Sequence, residues 1–73
     1  MTAKEMFEEL GYEQVLYQDG NQISYEIDSE NSESINYFIF YKKEKKVDVA
    51  LYVLSPQHVK AIHQQMKELG WIE

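Results

Sequence analysis

The chain predicts an α+β domain in the order helix, four antiparallel strands, helix, and three observations carry that prediction. Apolar residues recur at helical spacing near both ends, the period drops to two in between, and a glycine followed by an aromatic closes each helical stretch. The strands follow one another in sequence, so the sheet is expected to be an antiparallel four-stranded meander, with three strands as the alternative. Both helices are expected on one face of it.

The first helix is predicted over residues 3–10, with Ala3, Met6, Phe7 and Leu10 on one side and Lys4, Glu5, Glu8 and Glu9 on the other. Thr2 and Glu5 have the spacing of a capping box, worth about 1 kcal/mol. Gly11 supplies the left-handed stop, and Tyr12 is placed to fold back on the last turn. Val15, Leu16 and Tyr17 form a short first strand, and Asp19-Gly20-Asn21 is a turn. In the second strand Ile23, Tyr25 and Ile27 alternate with Ser24, Glu26 and Asp28, giving one dry and one wet face. A polar loop, residues 28–34, leads to the central strands at 35–42 and 47–54, joined by a lysine turn.

The last helix starts with Ser55 as cap and Pro56 at the first position, where no amide hydrogen is needed. Val59, Ile62, Met66 and Leu69 mark its expected apolar face, and Gly70 ends it. The exit Glu68-Leu69-Gly70-Trp71 repeats the pattern of Glu9-Leu10-Gly11-Tyr12, which reads as one capping solution used twice and not as a duplicated domain.

A chain of 73 residues has room for one domain, whose folding buries only about 60% of the unfolded surface. It contains no cysteine, so disulfides and thiolate metal sites are excluded, and ten aromatic residues must supply much of the buried area. No run of 18 apolar residues occurs and the start lacks a signal pattern, so a cytoplasmic protein without membrane attachment is expected. The net charge of −6 is uneven: residues 1–40 carry one Lys against nine carboxylates (−8), and residues 41–73 six Lys against four (+2). All seven basic residues are Lys, with no Arg for bidentate recognition of phosphate or guanine. Lys42, Lys43, Lys45 and Lys46 read as a solvated turn that protects strand edges, so direct nucleic-acid binding is not expected.

If residues 43–46 close the central hairpin, Phe40 opposes Val49 and Phe38 opposes Leu51. Phe38, Phe40, Val47, Val49, Leu51 and Val53 then share one face, while Ile35, Tyr37, Ile39, Tyr41, Ala50 and Tyr52 share the other. The helices are expected over the phenylalanine face, because Phe and Val carry no hydroxyl to satisfy. That leaves Tyr37, Ile39, Tyr41 and Tyr52 as candidate protein-interaction residues, on a face that is either self-associating in a homodimer, docked by another protein, or covered by the chain itself.

Reaction chemistry is not expected. His58 and His63 lie five apart on a helix, about 140° around its axis, and cannot chelate one metal; His58 is expected to face water and His63 to border the apolar stripe. Asp28, Glu30, Asn31 and Glu33 lack the glycine and spacing of a calcium loop. There is no glycine-flanked nucleophile and no phosphate cradle, and Glu8 and Glu9 sit on an exposed helix face with no pocket to raise a pKa. Neither a catalytic residue nor a cofactor is predicted.

The opening Met-Thr-Ala-Lys-Glu-Met-Phe-Glu-Glu-Leu-Gly-Tyr, the strand ending Ile39-Phe40-Tyr41, and the tail from Val59-Lys60-Ala61-Ile62 to Lys67-Glu68-Leu69-Gly70-Trp71 together resemble a small uncharacterised protein family of Gram-positive bacteria and their phages and prophages. The resemblance covers both ends better than the middle. It implies a cytoplasmic accessory protein, with a phage among its possible sources, and carries over no catalytic residue. The expected function is that of a small acidic protein-interaction module; the alternative is an acidic nucleic-acid mimic that occupies a DNA- or RNA-binding protein.

Overall fold

The computed structural model describes residues 1–27, 36–51 and 53–72. The elements are α1 (Ala3–Glu9), β1 (Glu13–Leu16), β2 (Gln22–Glu26), β3 (Tyr37–Tyr41), β4 (Lys46–Ala50) and α2 (Pro56–Glu68). The strands form one antiparallel sheet in the order β1-β2-β3-β4. The expected fold class is the observed one. The loop expected at 28–34 and the strand positions Ile35 and Tyr52 lie outside the described residues.

Both helices end as their sequences predict. Gly11 (φ +94°) and Gly70 (φ +77°) adopt the left-handed conformation, and the Tyr12 and Trp71 amides donate to the Phe7 and Met66 carbonyls, each at 3.0 Å. Both aromatics are thereby turned back onto the core, where Tyr12 meets Phe7 edge-on and Trp71 lies 6.2 Å from Phe40. At the start of α1 the Thr2 hydroxyl accepts from the Glu5 amide at 3.2 Å, while the Glu5 carboxylate accepts from the Thr2 amide at 2.9 Å. The Thr2 amide and, at 3.0 Å, the Thr2 hydroxyl donate to the Glu5 carboxylate and hold it below its ordinary range.

The core consists of Phe7, Tyr12, Ile23, Tyr25, Phe38, Phe40 and Ala61, contributed by both helices and one face of the sheet. Phe7 stacks on Tyr25 with ring centres 3.9 Å apart. The helices lie side by side and antiparallel: Glu68 Oε2 accepts from the Ala3 amide at 2.7 Å, and Glu9 and Leu10 line a groove with Gln57 and Lys60 at the other end.

Four details correct the sequence reading. The central hairpin pairs Phe38 with Val49 and Phe40 with Val47, closing over Lys42–Lys45 and not over residues 43–46. Lys45 takes φ +55° and donates its amide to the Tyr41 carbonyl, while the Asn21 side chain accepts from the Lys43 amide and donates to Glu44, anchoring the turn to β2. The shift is two residues, so Phe38, Phe40, Val47 and Val49 keep one predicted face and Tyr37, Ile39, Tyr41 and Ala50 the other, but the strand expected over 47–54 ends at Ala50, and Val53, expected on the phenylalanine face, is 76% exposed.

Second, α2 is rolled about 60° from the expected orientation. Ala61 and Gln65 are buried while Val59 is 50% exposed, because Gln65 is drawn inward to the Tyr25 hydroxyl. Third, His58 does not face water. Its Nδ1 accepts from the Ser55 amide at 3.2 Å, and its ring stacks over Phe38 and meets Tyr12 edge-on, so it completes the cap of α2; His63, rolled the other way, is exposed. Fourth, Ser24, expected on a wet face, is 1% exposed because the larger Val15 and Ile39 flank it in register.

Candidate functional site

The side of the sheet turned away from the helices is assembled from alternate residues of all four strands. Antiparallel pairing arranges them in rows across the strands. One row is Glu13, Glu26, Tyr37 and Ala50; the next is Val15, Ser24, Ile39 and Asp48; the last is Gln22, Tyr41 and Lys46. Of the four candidates, Tyr37, Ile39 and Tyr41 stand together on β3 in the middle of this face, and Tyr52 lies outside the described residues. Their neighbours Phe38 and Phe40 point the other way and are fully buried.

No described helix or strand packs against this side, and none of its side chains belongs to the core cluster. Tyr37, Ile39 and Tyr41 are nevertheless half-buried, since side chains on adjacent strands shield one another. The surface is a half-buried platform of aromatic and aliphatic side chains, suited to recognition by shape and hydrogen bonding rather than to chemistry. Ser24 Oγ, at its centre, is buried without a hydrogen-bond partner among the described residues.

Sequence reasoning passed over the charges on this platform. Glu13 and Glu26 are cross-strand partners, which sets like charges side by side, with Cβ atoms about 5 Å apart. A cavity of about 260 Å³ opens beside them, lined by the two glutamates, Val15 and Ile27. Asp48 is paired in register with Ile39, and Lys46 is the one described cation on the face. The signal was present in the alternation of β2, where Ser24 and Glu26 extend the side carrying Tyr37 and Ile39. Also unforeseen were Val53 and Leu54, 76% and 50% exposed in the link from β4 to α2.

Elsewhere, the groove between the helices has a volume of about 350 Å³ and is lined by Met1, Met6, Leu10 and the polar residues at its rim. Among the described residues no group of three or more His, Cys, Asp or Glu side chains is placed to hold a metal ion, and no helix is long and apolar enough to cross a membrane.

Helices on one side and an aromatic, acid-edged platform on the other define the class: a small α+β meander protein with one sheet face against which no described element packs. Comparison with protein-family models, curated protein sequences and solved structures finds no match.

Proposed function

We infer that the protein is a non-enzymatic, acidic interaction module of the cytoplasm, an accessory protein that binds a protein through the Tyr37–Ile39–Tyr41 platform. The observation that carries this reading is the placement of two tyrosines and an isoleucine on a sheet face against which no described element packs. Tyrosine suits such a surface, because its ring supplies apolar area at little entropic cost and its hydroxyl tolerates water when unbound. The mimic reading has less support: Glu5, Glu8 and Glu9 lie on α1 while Glu13 and Glu26 lie on the other side of the sheet, so the carboxylates do not form the single row that imitation of a phosphate backbone requires.

Site-specific photo-cross-linking in the producing cell tests the reading. A photoreactive residue at position 37 or 41 is expected to give discrete adducts, to another protein or to a second copy, that are absent when it replaces Lys67 on α2. Equal labelling from both sides of the molecule, or none from positions 37 and 41, would overturn it.

A further inference from the structure

We propose that the occupant of the platform is a basic polypeptide surface, with lysine or arginine side chains seated at the Glu13–Glu26 corner and apolar residues on Tyr37 and Ile39. This rests on the interaction reading above and adds the chemistry of the partner. The face presents Glu13, Glu26 and Asp48 against the single cation Lys46, a local charge of −2 on a chain of net −6. Two carboxylates paired directly across strands repel each other, and no ion pair relieves them among the described residues; residues 28–35 contain no basic side chain. An incoming ammonium or guanidinium group turns that repulsion into attraction. The adjoining cavity has the composition to receive such a side chain, with Val15 for its aliphatic stem and the glutamates for its head. Tyr37 follows Glu26 in the same row, which places an aromatic ring beside a guanidinium seated there.

The same charges argue against a second copy as occupant. Stacking two such faces would bring −2 against −2, and Lys46 alone cannot compensate three carboxylates.

The test is selection from a displayed library of random short peptides on the intact protein. Enriched peptides are expected to be net positive with interspersed aromatic or aliphatic residues. Their affinity is expected to fall about tenfold between 0.1 and 1 M salt, where the Debye length shrinks from about 10 to about 3 Å. Glu13→Gln with Glu26→Gln is expected to weaken binding about tenfold while leaving the fold at least as stable, since a like-charge pair is removed. Tyr37→Ser is expected to abolish binding, with Tyr41→Ser as the second variant should the first fail to fold. Neutral or acidic peptides that are still lost on Tyr37→Ser would overturn the basic partner and leave the interaction reading standing. So would a dimer in sedimentation that Tyr37→Ser dissociates. Basic peptides indifferent to Tyr37→Ser and Tyr41→Ser, or no enrichment at all, would overturn both.

Discussion

Tyr25 shows how much one side chain decides in so small a core. It is fully buried and stacked on Phe7, and its hydroxyl donates to Gln65 Oε1 while accepting from Gln14 Nε2 at 3.0 Å. One phenol thus fixes the roll of α2 and ties it to β1. Tyr25→Phe removes the partner of a buried amide, and urea denaturation is expected to show a loss of about 1–3 kcal/mol, mostly recovered when Gln65→Leu is added. Burial raises the Tyr25 phenol above its ordinary value, opposed by the bond from Gln14 and reinforced by Glu68 and Glu8; burial alone raises Tyr12. In the folded chain both phenols stay neutral at pH values where the unfolded chain ionises. The stability these two phenols contribute is therefore complete below about pH 10 and declines as pH rises from there through the folded-state values, which alkaline titration of near-UV circular dichroism would register. A flat profile through that window would contradict the burial of both groups.

At the scale of elements, the ends of the helices and the turn of the hairpin were governed by different amounts of information. Each helix end is a local device of a few residues, and the φ of Gly70 is one that an L side chain adopts at a cost of about 1–2 kcal/mol. Gly70→Ala should lower stability by that amount although nothing stands within 4 Å of the added methyl, so thermal denaturation isolates the backbone effect. The hairpin turn is less local. A four-residue loop drawn from Lys42–Lys46 is compatible with two registers that differ by two residues and leave the same side chains inside. The choice falls to Lys42–Lys45 through contacts from β2, the Asn21 carbonyl accepting from Lys42 and its side chain from Lys43. Lys45 is left at positive φ, and Lys45→Gly is expected to gain about 0.5–1 kcal/mol, with unchanged binding of the selected peptides.

For the whole molecule, the decisive asymmetry is between adjacent residues of β3. Phe38→Ala empties a site enclosed by Phe7, Tyr12 and His58, and its expected cost of about 3–5 kcal/mol approaches the whole stability of a domain this size. Ile39→Ser, one residue along on the half-buried platform, should cost only about 1–1.5 kcal/mol. Urea denaturation of the two variants checks the layering, and equal losses would mean that both sides of the sheet are covered. A chain with so thin a core has little reason to keep two tyrosines and an isoleucine on a side against which no described element packs for stability alone, which is where the interaction reading draws its force.

The order of elements, the positions of both caps and the division of β3 into two faces could be read from residues 1–73 alone, because each depends on periodicity or on a few neighbouring residues: Thr2 with Glu5, Gly11 with Tyr12, Phe38 against Ile39. The pairing of the hairpin, the roll of α2, the inward turn of His58 and the burial of Ser24 could not. Each of these is settled by a partner distant in the chain: Asn21 for the hairpin turn, Tyr25 for Gln65, Tyr12 and Phe38 for His58, Val15 and Ile39 for Ser24. The Glu13–Glu26 pair that now dominates the candidate surface belongs to the second group, since two glutamates thirteen residues apart become neighbours only when β1 and β2 align.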